Sequence, residues 1–185
     1  MGTYETYKIM RKVRDAFIKA LRAGFSQDEV YTWDSNKNDS RILISDATPL
    51  ENTELPSIII TSSSGKEQRY LGPDYLKQAE DKNDIRFVSL PASVSIKTYT
   101  LSPIDRDELG DMIFEYLKVV TDKLAELGIE IQNIQINGDT REFRQDRWWY
   151  SGNYTIQIYT EWVYKEDKDI ITVESFTVEF NEQEL

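Results

Sequence analysis

The chain predicts an α+β fold: an antiparallel or mixed β-sheet with two α-helices packed on one face, plus a long loop and a C-terminal strand or arm. Three observations carry this. Two long segments repeat apolar residues at three- and four-residue spacing, the mark of a helix with one buried face. Shorter runs rich in Ile, Val, Thr, Tyr and Trp alternate with period two. The strands are not interleaved one for one with helices: everything from Ile129 to Phe180 reads as strand.

The first helix is expected over Tyr4–Ala23, where Met10, Val13, Phe17 and Leu21 share a face and Gly24 is placed to stop it. Arg11, Lys12, Arg14 and Lys19 take the opposite, solvated face. A polar connector over 25–40 ends in Asp34-Ser35-Asn36-Lys37-Asn38-Asp39-Ser40. Its opening matches that of a calcium loop, but Asp39 replaces the required Gly and Ser45 the closing Glu, so it reads as a turn. Arg41–Ser45 and Ser57–Thr61 are strand-length apolar runs bounded by Pro and Ser-Gly breakers. A polar insertion between Gly65 and Asn83 contains Arg69, Tyr70 and Tyr75 and suits a contact surface. Arg86–Leu101 resumes strand character, with Pro91 confined to an edge or bulge because it has no N–H to give a ladder.

The second helix has the clearest start. Ser102 is the N-cap, Pro103 suits the first helical position, and Asp105, Asp107 and Glu108 favour the positive end of the dipole. Leu109, Met112, Ile113, Tyr116, Leu117, Val120, Leu124 and Leu127 form its stripe, and Gly128 closes it. From Pro103 to Leu127 it would span ~37 Å, enough to cross a sheet. Beyond it, Asn137-Gly138-Asp139 predicts a hairpin turn. Trp148–Tyr150 and Tyr154–Trp162 continue the sheet, and Ile170–Phe180 makes a last strand able to leave the domain as an arm. Residues 1–165 are expected as one domain and 166–185 as its extension.

Composition narrows the chemistry. The 185 residues include neither cysteine nor histidine, which removes disulfides, thiolate nucleophiles, the usual zinc sites and imidazole acid–base catalysis. Lys and Arg total 22 against 33 Asp and Glu, a net charge of −11 that argues against gripping nucleic acid over a wide face. Ordinary solubility, a wall past which DNA slides, and DNA mimicry all accommodate it. No apolar run nears the ~20 residues that span a bilayer, and the N-terminus lacks a signal-peptide pattern, so a soluble intracellular protein is expected. The acidic cluster Asp105, Asp107, Glu108 and Asp111 reads as dipole compensation, and no phosphate loop, nucleophile elbow or dinucleotide fingerprint is present. No catalytic residue, metal or cofactor is expected, and the protein is read as a non-enzyme. Arg141, Arg144 and Arg147, mixed with Glu142 and Asp146, suit a salt-bridged contact between subunits. Of the adjacent pair Trp148 and Trp149, one should be core and the other an exposed anchor, a role assigned to Trp149. Phe176 is nominated in the tail.

In layout the chain resembles the tail-terminator (tail-completion) proteins of tailed bacteriophages. The likeness runs from residue 5 to 164: N-terminal helix, a strand at Pro56-Ser57-Ile58-Ile59-Ile60-Thr61, polar loop, strand, the Ser102–Leu109 helix start, long helix, and a closing hairpin ending near Tyr159-Thr160-Glu161-Trp162. The resemblance implies a virion protein assembled in the host cytoplasm as a self-associating ring, typically a hexamer. Such a ring caps the tail tube protein, stops polymerisation, meets the head–neck connector, and lets DNA pass its lumen without specific binding. Other neck or head-completion proteins, an acidic inhibitor that mimics DNA, and an assembly chaperone are the alternatives.

Overall fold

The computed structural model describes residues 2–36, 38–64, 77–78 and 84–166. Its elements are α1 (Gly2–Phe25), β1 (Leu43–Ser45), β2 (Ser57–Ser64), β3 (Lys77–Gln78), β4 (Asp84–Tyr99), α2 (Pro103–Glu126), β5 (Ile129–Arg144) and β6 (Arg147–Glu166). The sheet runs β1-β2-β4-β6-β5, with β3 paired to β4 off that path. β1 is parallel to β2 and the other pairings are antiparallel, so the sheet is mixed and the fold is α+β.

Both helices cover one face of this sheet. Alternate residues of the strands (Ile58 and Ile60, Val94 and Ile96, Tyr154, Ile156 and Ile158) join one buried cluster with Met10, Val13, Phe17 and Leu21 of α1 and Leu109, Ile113, Leu117 and Leu124 of α2. The stripes anticipated from spacing are therefore the buried faces. Each fully buried Leu, Ile or Phe removes enough apolar surface to contribute about 1.5–3 kcal/mol. The Ser102 side chain accepts a hydrogen bond from the Ile104 amide at 3.2 Å, and Pro103 opens the helix, as its cap sequence requires. At the other end Gly128 takes φ +74°, the left-handed conformation that ends a helix and that Gly adopts without steric cost.

The structure corrects two turn assignments. Gly24 does not stop α1, which continues through Phe25. A Cβ at Gly24 would lie 2.7 Å from Cγ of Tyr116, so the glycine serves the close approach of the two helices. Phe25 then buries edge-on against Tyr116, with ring centroids 4.9 Å apart. Second, Asn137-Gly138-Asp139 is a bulge within β5 and not a hairpin turn: the register shifts between Ile136 and Asp139, and Gly138 takes φ +81°. The chain reverses at Gln145–Asp146, where φ is 48° and 60°. Two positive φ values in a two-residue loop are those of a type I′ turn, whose twist matches the strands it joins. β5 and β6 thereby form one long hairpin.

Pro91 pairs with Tyr159 of β6 on one side, while on the other the β2 ladder ends at Ser64–Ala92. It thus sits where β4 becomes an edge among the described residues, the place its missing N–H allows. The 34–40 segment is a turn built by local side-chain bonds: Asp34 Oδ1 accepts from the Asn36 amide at 2.7 Å, and Asn36 Nδ2 donates to Asp39 Oδ2 at 2.6 Å. The C-terminal arm lies outside the described residues.

Candidate functional site

The outer end of the β5–β6 hairpin gathers the exposed residues best suited to binding. Pairings Arg141–Tyr150, Phe143–Trp148 and Arg144–Arg147 extend the two strands to the Gln145–Asp146 turn. On the face they share with the helices, but beyond helical cover, Phe143 and Trp148 remain 60% and 47% exposed. Their rings meet edge-on at 5.3 Å, and the Arg141 guanidinium lies 5.0 Å from the Trp148 ring centroid. On the opposite face Arg144 pairs with Glu142 and lies 5.4 Å from the Trp149 ring, while Arg147 is exposed. An aromatic pair flanked by guanidinium groups is the residue chemistry that dominates protein interfaces.

The two tryptophans do point to opposite faces, but which one is buried is reversed: Trp149 is 2% exposed and Trp148 is the exposed one, at 47%. Trp149 packs with Ile59 and Tyr99 in a second small core on the helix-free face, closed by Leu55. Its indole Nε1 donates to Asn52 Oδ1 at 2.7 Å. What decides the matter is cover: Asn52 and Leu55 lie against Trp149, whereas Trp148 has beside it Phe143 and Arg141 of its own hairpin and stays half exposed. Arg69, Tyr70, Tyr75 and Phe176 lie outside the described residues. Phe143 was missed from sequence because its partnership with Trp148 exists only once the turn is placed at 145–146; an Arg-x-Phe facing a Trp across that turn is the signal that would have found it.

The limb is held in place. Gln145 Nε2 donates to the Leu50 carbonyl at 2.9 Å, the Asn52 amide donates to Gln145 Oε1 at 3.0 Å, and Asn52 Nδ2 donates to the Gln145 carbonyl at 3.4 Å. At its base, Thr100 and Tyr150 exchange backbone hydrogen bonds of 2.9 Å each way, and Arg106 of α2 bridges to Asp139 at 3.0 Å.

Elsewhere the surface offers less. A shallow trough of about 490 Å³ on the helix-free face is lined by Ser93, Gln132, Asn133, Gln157 and Tyr159 beside Pro91, with no carboxylate or lysine among its lining residues. The acidic start of α2 is divided among partners: Asp107 pairs with Arg106, and Glu108 accepts from the Tyr31 hydroxyl at 3.2 Å. No group of three or more potential metal ligands converges among the described residues, and no described helix is long and apolar enough to cross a membrane.

Tyr31 gives a pH signature. Burial first, then the charges of Asp105 and Glu108, push its hydroxyl from 10.0 to about 12. Burial also raises Tyr116 and Tyr154. A raised folded-state pKa means that the unfolded chain loses its proton first as pH climbs. This group's contribution is therefore complete below about pH 10 and is lost between 10 and 12. Tyr31→Phe should flatten part of that alkaline decline in denaturant midpoint and remove a late-titrating component of tyrosinate absorbance. A decline identical to wild type would contradict this assignment.

No protein-family model matches the chain, and no curated protein matches it.

Proposed function

We propose that the chain is a structural protein that self-associates through the β5–β6 limb, as a ring at the head-proximal end of a phage tail. There it stops tube polymerisation and presents a face to the head–neck connector. The observation that carries the self-association is the limb itself: Phe143 and Trp148 stand exposed on a two-stranded extension that Leu50 and Asn52 hold fixed. The phage assignment draws support from the sequence layout, and the charge of −11 suits a lumen that DNA traverses without adhering.

Native mass spectrometry over a wide concentration range, with negative-stain imaging, tests the reading. A closed ring of about six copies is the expected result, the assembly that a heterologous contact makes when its rotation closes. A chain that stays monomeric at every concentration would remove self-association as its function.

A further inference from the structure

From the limb's chemistry and its position, we infer that it receives the C-terminal segment of a second copy of this chain, with Ile170–Phe180 adding as a strand to the free edge of β5. Four observations lead there. First, β5 is the outermost strand of the sheet path and pairs only with β6 among the described residues, so its far edge can take a further strand. Second, bulges between Ile131 and Asn133 and between Ile136 and Asp139 interrupt that edge, leaving Asp139–Arg144 as a regular stretch at the limb.

Third, the two sequences are complementary. The limb carries Arg141, Arg144 and Arg147 in a chain that is acidic overall. Residues 167–185 carry Asp167, Asp169, Glu174, Glu179, Glu182 and Glu184 against the single base Lys168. In an extended conformation Glu174 and Phe176, spaced two residues apart like Arg141 and Phe143, would fall on one face and stand beside those two. Glu179 would fall on the other, with Arg144. Opposite charges and paired aromatics on neighbouring strands each favour one register over its alternatives.

Fourth, reach favours another copy over the chain's own tail. β6 starts at the limb and ends at Glu166, at the opposite end of the sheet. Returning from Glu166 to the level of Tyr150 takes roughly 16 residues at about 3.3 Å each. Ile170–Phe180 would be spent before it lay along its own limb, whereas the tail of an adjacent copy meets no such limit. The assignment deepens the self-association reading and rests on it.

The test uses the full chain with Phe143 replaced by photoreactive p-benzoyl-phenylalanine, mixed with ¹⁵N-labelled wild type and illuminated. The expected adduct joins position 143 to a ¹⁵N-labelled peptide from within Ile170–Phe180. The triple variant Arg141→Glu, Arg144→Glu, Arg147→Glu should lower its yield about tenfold or more. Mixing that variant with copies carrying Glu174→Lys and Glu179→Lys should restore the yield, which shows that the reversed limb still folds. Adducts that map elsewhere, adducts only to unlabelled tails, or a yield indifferent to both reversals would overturn the inference. A ring seen without the adduct would leave self-association standing and this contact refuted. The adduct without a closed ring would do the opposite to the ring assignment.

Discussion

Replacing Trp149 by alanine is expected to cost about 3–5 kcal/mol, the range for removing a large buried aromatic side chain. The indole is 2% exposed and packs edge-on with Tyr99 at a centroid separation of 5.9 Å. Three losses coincide. The small core of Ile59, Tyr99 and Leu55 loses its largest member. Asn52 loses the indole donor that holds its side-chain oxygen, and Arg144 loses the ring it lies over. Because Asn52 also bonds Gln145, the damage should extend to the hairpin turn. Urea titration measures the destabilisation, and amide exchange at Gln145–Arg147 should rise along with it. A loss below about 1 kcal/mol would mean that this second core contributes little. Trp148→Ala, by contrast, should cost no more than about 1 kcal/mol, the range for a cross-strand pair, since the residue is 47% exposed.

The second large effect is expected where α2 crosses β6. A Cβ on Gly110 would lie 2.2 Å from the Tyr154 hydroxyl oxygen, and one on Gly152 would lie 2.8 Å from the same atom. The phenol therefore fits between a helical glycine and a strand glycine. Gly110→Ala would ordinarily help a helix by about 1 kcal/mol. Here it forces the ring or the helix to move, so a net destabilisation of about 1–3 kcal/mol is expected, the usual cost of overpacking. Tyr154→Phe deletes the clashing oxygen, leaving the ring carbon 3.2 Å from the new methyl as the nearest atom of that side chain. The double variant should thus recover much of the loss, a coupling that a double-mutant cycle in urea reads directly. Strictly additive effects would show that the helix shifts without regard to the hydroxyl.

Much of this architecture was legible from residue spacing, and its failures share one cause. The buried stripes of both helices, the Ser102 cap and the α+β class follow from local rules of period, capping and hydrogen-bond capacity, while the sheet was left antiparallel or mixed and Pro91 at an edge or bulge. The errors concern residues whose chemistry permits two uses. Glycine ends a helix or lets two helices touch, and at position 24 the Tyr116 ring across the gap decides. Asn-Gly closes a hairpin or opens a bulge, and at 137–138 the register with β6 decides. Alternation put Trp148 and Trp149 on opposite faces, yet which face is covered depends on the 50–55 segment, almost a hundred residues away in sequence. Of the site, the arginines were legible as a charged limb. The Phe143–Trp148 pair was not, because it is a cross-strand relation that depends on a turn with no glycine in it.

The three hydrogen bonds between Gln145 and the Leu50–Asn52 segment have a consequence for how quickly and how tightly this surface can engage. A hairpin tip left loose would forfeit rotational and backbone freedom on contact, at the expense of affinity. Here that freedom is already surrendered on folding, so encounters meet a surface in its final shape. In the self-association proposed above, the Leu50–Asn52 segment would then act on residence time from outside the contact: loosening it would shorten the life of the complex.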